Sequence, residues 1–121
     1  MSHKVKNHSR NAMPVLSEEQ FQAIGRLFSM LAEPTRLKIL RNLESGPRTV
    51  SEIVAELATT QANISKHLRL LHDARLLRRK RQGSFVRYEI ADDVVFALCG
   101  IVCQKLARDG RAHPWAHGVR G

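Results

Sequence analysis

The sequence lacks the features that would assign it to the membrane, secreted or disulfide-stabilised proteins. Its longest apolar run, Val94 to Cys103 with one glycine inside it, is far too short to span a bilayer. No apolar segment of the kind found in secretory signals begins the chain. Cys99 and Cys103 are the two cysteines, so reduced thiols are expected and not a structural disulfide. These absences predict a cytoplasmic protein without a membrane partner.

Acidic residues are scarce relative to basic ones. The chain has 20 Lys and Arg against 11 Asp and Glu, which gives a formal net charge of +9. A surface of this charge attracts polyanions, and nucleic acid or an anionic membrane surface is the first partner to consider. A basic surface that serves only solubility is the alternative. Clustering argues against it, because six basic residues and no acid lie between positions 75 and 87 (Arg75, Arg78, Arg79, Lys80, Arg81 and Arg87).

The length of the chain is that of one small domain. With 121 residues and 43% hydrophobic composition, it can form a modest core, which a symmetric partner would help to stabilise. Residues 1–16 are polar and basic, and we predict a flexible arm there. Residues 17–109 are predicted to be the DNA-binding and dimerisation domain. Residues 110–121 contain Pro114 and are predicted to be an irregular tail.

Two helices are predicted in the first part of the domain. Ser17 and Gln20 form a capping-box pattern, and apolar residues follow at helical spacing (Phe21, Ile24, Leu27, Phe28 and Leu31). Pro34 is suited to the first turn of a second helix, since its missing N–H has no partner there. That helix is expected to turn one apolar face inward before Gly46-Pro47 ends it (Leu37, Leu40 and Leu43).

A helix-turn-helix is predicted next. Thr49 and Glu52 repeat the capping-box pattern and begin a short third helix with an inward apolar face (Ile53, Val54 and Leu57). A fourth helix begins near Thr60, only a few residues later, with its own buried stripe (Ile64, Leu68 and Leu71). Two short helices joined by so tight a turn are typical of this motif.

The pattern changes from helical to alternating after Ala74. Residues 77–82 and 85–90 are predicted to be two strands joined at Gly83, which can take the positive φ of a tight turn. A hairpin in this position is a wing, so the fold is predicted to be mainly α with a small β-hairpin, a winged helix-turn-helix. Asp92 can cap a final helix that is apolar around its whole circumference. Such a helix must be buried on all sides, which predicts a homodimer.

The outer face of the fourth helix carries side chains suited to a DNA major groove. We predict base contacts from its N-terminal part and phosphate contacts farther along (Thr60, Gln61, Ala62, Asn63, Ser65, Lys66 and Arg69). His67 is expected to assist by binding backbone or phosphate, and not to bind a metal. The wing and its flank are expected to bind phosphates (Arg75, Arg78, Arg79, Lys80, Arg81, Gln82, Ser84 and Arg87). A solvated amphipathic helix would explain the fourth helix alone, but not its combination with the turn and the wing.

Three segments resemble the ArsR/SmtB family of bacterial repressors. They are Leu31 to Leu40, Ile64-Ser65-Lys66-His67-Leu68, and Arg81-Gln82-Gly83 ahead of Val86-Arg87-Tyr88, and the resemblance covers residues 17–106. It implies a winged-helix homodimer, paired through its first and last helices, that binds an inverted-repeat operator in double-stranded DNA and leaves it when an inducer binds. Arg75 departs from the family, which usually has Gly there, so a residue with a side chain must take the turn.

The sequence says less about the inducer than about DNA binding. The thiols that many family members carry in the third helix are missing from residues 48–54. A second family metal site begins at an Asp matched by Asp92, but Val94 stands where a His is expected and the next His is His113. With both of these metal sites incomplete, the sequence predicts no required cofactor.

Cys99 and Cys103, four residues apart on the last helix, are the remaining candidate sensor. Two thiolates at this spacing suit As(III), Sb(III) or a soft divalent metal, and they could also be oxidised together. The other interpretation is packing at the dimer seam, which their apolar surroundings slightly favour. A metal site between the chain ends would need both ends to fold back, and solvated histidines are simpler there (His3, His8, His113, His117, beside Trp115).

Two other functions compete with a dimeric transcriptional repressor. One is a non-specific architectural or RNA-binding winged helix without an inducer, which would bind DNA with the same salt dependence but without sequence preference. The other is a small thiol enzyme. No His or helix N-terminus lies near either cysteine in sequence to lower its pKa, and the run from Val94 to Val102 is too apolar for an open active site, so we predict that the protein is not an enzyme.

Overall fold

The computed structural model describes residues 14–110, so most of the predicted arm and tail, with their histidines, lie outside the described residues. The elements follow in the order α1 Glu18–Leu31, α2 Pro34–Leu43, β1 Arg48–Thr49, α3 Val50–Leu57, α4 Gln61–Asp73, β2 Leu77–Gln82, β3 Phe85–Ile90 and α5 Asp93–Asp109. Within this span no helix is both long and apolar enough to cross a membrane.

Side-chain caps begin the helices where the sequence predicts them. The hydroxyl of Ser17 accepts the N–H of Gln20 at 3.1 Å, and the Gln20 side chain accepts the N–H of Ser17 at 2.9 Å. Thr49 and Glu52 form the same reciprocal pair at 3.2 and 2.9 Å. Each pair satisfies two backbone donors that a helix start would leave without a partner. Both capping boxes are therefore confirmed.

The core lies between α2, α3 and α4. Seven apolar side chains there are at most 2% exposed (Ile39, Leu40, Leu43, Ile53, Ile64, Leu68 and Leu71). The predicted stripes of α3 and α4 are confirmed, but the predicted face of α2 is partly wrong. Leu37 is 41% exposed, whereas Ile39, which was not assigned to the core, is fully buried. Since Ile39, Leu40 and Leu43 occupy the core side of α2, Leu37 is left on the side that faces α1 and α5.

The sheet has three strands, in the order β1-β3-β2. The predicted hairpin of β2 and β3 is confirmed, with Gly83 at φ +65° in its turn. Strand β1 was not predicted. It pairs antiparallel with β3, Arg48 opposite Tyr88 and Thr49 opposite Arg87. Two residues between a turn and a helix are too few to show an alternating pattern, yet they make β3 the central strand.

Two residues with side chains adopt left-handed backbone at the junctions of α4. Ala58, at φ 51°, ends α3 and makes the tight turn of the helix-turn-helix. Arg75, at φ 65°, follows α4, as the missing glycine requires. The N–H groups of Arg75 and Leu76 donate to the carbonyls of His72 and Leu71 at 2.9 and 3.0 Å, which closes the end of α4. The conformation of Arg75 was predicted and that of Ala58 was not.

Candidate nucleic-acid interface

The predicted recognition face of α4 is on the outside of the chain. The exposed residues of this helix include Gln61, Ala62, Ser65, Lys66 and Arg69, and the N-cap Thr60 is exposed as well. They lie opposite the buried stripe, because a helix that turns Ile64, Leu68 and Leu71 inward must present its other face to solvent. The face is therefore accessible to a large ligand such as a DNA duplex.

Two of the predicted base-contacting residues are also used within the protein. The hydroxyl of Thr60 accepts the N–H of Asn63 at 3.1 Å and thereby caps α4. The Asn63 side chain is half-buried, and its Nδ2 donates to the hydroxyl of Thr59 at 3.2 Å. Gln61 and Ser65, one turn apart, make no side-chain hydrogen bond with any described residue, so they are the freer donors and acceptors.

His67 occupies a different place from the one expected. Its ring is buried, with 5% of the residue exposed, so His67 does not belong with the exposed residues that were expected to contact DNA. Its Nδ1 lies 3.2 Å from Nη1 of Arg36, and its Nε2 lies 3.9 Å from Oε1 of Glu33. Burial lowers the pKa of His67, and Glu33 partly opposes that effect. Its partners among the described residues are side chains at the start of α2.

The basic side chains of the wing form two groups, those that are paired with an acidic side chain and those that are not. Arg78 Nε and Lys80 Nζ lie 2.9 and 3.4 Å from the same carboxylate oxygen of Glu89. Arg87 Nη1 lies 3.2 Å from Oε1 of Glu52 on α3. The hydrogen bond from Arg78 lowers the pKa of Glu89, while the N–H of Thr49 is the main cause of the lowered pKa of Glu52. Three of the six basic residues that were expected to bind phosphate are thus partly neutralised.

The other three wing cations, Arg75, Arg79 and Arg81, are exposed and form no ion pair within residues 14–110. Arg75 and Arg79 border an open cleft of about 560 Å³ between the end of α4 and strand β2. The separation of the wing cations into paired and unpaired ones was not predicted. The hairpin register indicates it, because a turn at Gly83 places Glu89 directly opposite Arg78.

The candidate sensor residues lie on α5, outside the recognition face and the wing. Cys99 is half-buried and Cys103 is exposed, and both line a mostly apolar groove of about 400 Å³ between α1, α2 and α5. Nη1 of Arg41 lies 4.0 Å from Sγ of Cys103. Burial, and then the neighbouring Cys103, raise the pKa of the Cys99 thiol. Across the described part of the chain, no three His, Cys, Asp or Glu residues cluster as a metal site.

Large apolar side chains are exposed on the two helices that border this groove. Phe21 and Phe28 of α1 are 56% and 53% exposed, and Val94 and Ile101 of α5 are 54% and 64% exposed. Only Val95 of α5 is fully inside the core of the single chain. An apolar surface of this kind typically marks a contact with another molecule.

Comparison with known proteins gives a consistent result. Residues 33–79 match the family model described as bacterial regulatory protein, arsR family. A probable mercury resistance operon repressor from Streptomyces lividans is 37% identical over 88 residues, 73% of this chain and 70% of that protein. A transcriptional repressor SmtB homolog from Synechocystis is 33% identical over 84 residues, 69% of this chain. The chain spans 64% of the length of that second relative.

Solved structures share the fold. The crystal structure of the AntR antimony-specific transcriptional repressor superposes with a TM-score of 0.72 at 26% identity, covering 80% of this chain and 88% of that one. The solution NMR structure of a homodimeric winged helix-turn-helix DNA-binding domain from Mycobacterium bovis gives 0.68 at 27% identity, covering 82% and 94%. The predicted winged helix is therefore confirmed.

Proposed function

This chain belongs to the arsR family of bacterial regulatory proteins, which are DNA-binding transcriptional regulators and not enzymes, and we propose that it represses transcription by binding an inverted-repeat operator as a homodimer. One observation carries the proposal: the exposed N-terminal half of α4 lies in the same domain as a wing with unpaired arginines. A major groove accepts such a helix, and the phosphates beside it attract the wing.

The contacts within this interface have distinct roles. Gln61 and Ser65 contact base edges, since their side chains are exposed and free. Lys66 and Arg69 lie farther along α4 and bind phosphates. Arg79 and Arg81 supply the main phosphate contacts of the wing, because Glu89 and Glu52 already neutralise part of the charge of their neighbours.

The dimer is formed by the apolar faces of α1 and α5. Phe21, Phe28 and Ile101 are too exposed in one chain for so small a domain, and a second copy would cover them. The Mycobacterium bovis domain, which shares the fold, is homodimeric. A twofold axis through these helices gives two copies of α4, which would contact half-sites about one DNA turn apart.

Selection of binding sites from a random DNA library tests this function. The expected result is an inverted repeat that is protected in footprinting and that random duplex or RNA competes for poorly. Equal competition by random DNA would replace the operator with a non-specific architectural role. Replacing Gln61 by Ala should relax the base preference at one position of each half-site, while replacing Arg81 by Gln weakens binding to all duplexes.

The inducer acts at Cys99 and Cys103. Their thiols share a groove between α5 and α2, so a soft ion or an oxidant bound there would alter the packing of a dimer helix. Two similar proteins are named as a probable mercury resistance operon repressor and an antimony-specific repressor. Operator release titrated with arsenite, antimonite, cadmium and peroxide, compared between the wild type and Cys99→Ser/Cys103→Ser, tests this role. Release of both proteins alike would assign the cysteines to packing.

A further inference from the structure

Three elements of the fold meet at one buried imidazole. His67 belongs to α4, two residues after Ser65, but its ring points away from the recognition face and into the domain. There it meets Arg36 in the first turn of α2 and Glu33, which caps α2. Arg36 in turn reaches the end of α1. The ring is therefore in contact with the junction that joins the two helices before the helix-turn-helix.

Arg36 is held in position by bonds that do not involve His67. Its Nε donates to the carbonyl of Met30 at 2.7 Å, and its backbone N–H donates to the carboxylate of Glu33 at 2.9 Å. Both contacts anchor the residue to the α1–α2 junction. The direction in which its Nη1 points, toward Nδ1 of His67 at 3.2 Å, is consequently fixed by the scaffold.

The chemistry of this contact determines the protonation state of the ring. A guanidinium has only donors, so Nδ1 of His67 must be the acceptor. The proton of the neutral ring then lies on Nε2, the nitrogen that faces Glu33. A second proton on Nδ1 would set donor against donor and cation against cation. Burial opposes this second proton most strongly, and the charges of Lys66 and Arg36 oppose it as well. Glu33 favours it, but at 3.9 Å it is too distant for a hydrogen bond that would replace the one lost.

We propose that His67 is a positioning residue for operator binding: its neutral imidazole fixes α4 against the α1–α2 junction through Arg36, and protonation of the ring releases that contact and weakens recognition. The proposal rests on the proposed repressor function. It makes operator affinity depend on acidity through a side chain that does not touch DNA, and it connects the recognition helix to the end of α1.

Variants that keep or remove the acceptor test the proposal. His67→Asn can place an amide oxygen near the position of Nδ1, so it retains the acceptor but does not titrate. His67→Phe keeps a ring and loses the acceptor. His72→Gln is the matched control, because His72 is on the same helix, its side chain is 34% exposed and its near neighbour is Asp73. The readout is the ratio of affinities for the selected operator duplex and a scrambled duplex, in which the general effect of charge cancels.

The expected result is specific to the acceptor. In the wild type and His72→Gln, the operator-to-scrambled ratio should fall by about tenfold between about pH 7.5 and pH 5.5, as expected for loss of one charge-assisted hydrogen bond. The ratio of His67→Asn should stay near the wild-type value at neutral pH and change little with acid. His67→Phe should have a low ratio at both pH values while it still binds scrambled DNA. An unchanged pH profile in His67→Asn, or a flat profile in His72→Gln, would overturn the proposal.

A second measurement does not depend on an operator. If site selection yields no preferred sequence, the repressor function fails, and the link is then judged by amide hydrogen exchange of residues 61–66 at matched pH. Faster exchange at about pH 5.5 in the wild type than in His67→Asn supports the link. Equal exchange in the two proteins refutes it.

Discussion

The carboxylate of Glu52 on α3 lies 3.2 Å from the guanidinium of Arg87 on β3, and the same oxygen accepts the N–H of Thr49 at 2.9 Å. One side chain therefore begins the helix-turn-helix and binds the wing. Its two roles are separable, because glutamine at this position of a capping box can make the backbone contact without the charge.

Glu52→Gln should strengthen non-specific DNA binding with little loss of stability. Arg87 would become available to phosphate, and an exposed ion pair contributes only about 0–1 kcal/mol to folding. Measuring affinity for random duplex at several salt concentrations should show a steeper salt dependence. Glu56→Gln on the same helix is the control, since it removes the same charge from a residue that is exposed and forms no ion pair with any residue from 14 to 110. Equal effects of the two variants would mean that only net charge matters.

Arg79→Gln should weaken binding to every DNA more than Arg78→Gln does. Both variants remove one charge from β2, but Arg78 is bound to Glu89 whereas Arg79 is free. Loss of one phosphate contact from each protomer should reduce the slope of log affinity against log salt by about 0.9 per protomer of the bound dimer. Titrations between about 50 and 200 mM salt compare the two. The division of the wing would be refuted if Arg78→Gln had the larger effect.

Arg75→Gly should unfold at a higher temperature than Arg75→Ala. The backbone at this position has φ 65°, which costs a residue with a side chain roughly 1 kcal/mol and costs glycine almost nothing. The higher entropy of glycine in the unfolded chain offsets part of the gain. Both variants lose the cation, so both should bind DNA more weakly than the wild type. Thermal unfolding and DNA titration of the pair separate the strain from the charge.

Stability should decrease as the pH falls below about 6.5, and His67 should cause that decrease. Because burial lowers its pKa in the folded chain, the unfolded chain binds the proton more readily. The stabilisation is therefore complete above the unfolded pKa and is lost as the pH falls below it. Folding lowers the pKa values of Glu33, Glu52 and Glu89. The stability that these three carboxylates contribute is therefore lost only as the pH falls below about 4.5. Urea unfolding of the wild type and His67→Asn should diverge between these ranges, and parallel curves would contradict this assignment.

Cys103 should react with iodoacetamide before Cys99. Cys103 is exposed, whereas Cys99 is half-buried and its raised pKa reduces the thiolate fraction. Mass spectrometry of peptides at increasing reaction times gives the order. Cys103→Ser should leave a single slow thiol. Faster labelling of Cys99 would show that the groove opens in solution.

Much of the fold could be predicted because its determinants are local. Ser17 and Thr49 indicate helix starts because each forms a capping box with the residue three positions later, and the turn at Gly83 fixes the hairpin register. What could not be predicted depends on tertiary packing. Leu37 is outside the core because its neighbours already fill it, and Ala58 takes a left-handed turn that its residue type does not favour.

The candidate site shows the same limit. The outer face of α4 follows from its buried stripe, so its exposed residues were predictable from helical spacing alone. The burial of His67 follows from the same spacing, because it lies three residues after Ile64 and beside Leu68, but its contact with Arg36, 31 residues away in sequence, could not be predicted. A count of basic residues also does not show that Glu52 and Glu89 form ion pairs with three of them. Those pairs depend on strand pairing and on the contact between α3 and β3.

Strand β1 has a consequence for the kind of DNA that fits. Its backbone bonds join β3 to the residues that precede α3, so the hairpin cannot swing independently of the two helices beside it. In the proposed complex, the distance between the helix in the major groove and the wing on the neighbouring phosphates would then be set by the protein before it meets DNA. The duplex would have to adjust its groove width instead, and sequences that deform easily at the outer ends of the site would be favoured at positions that no side chain contacts.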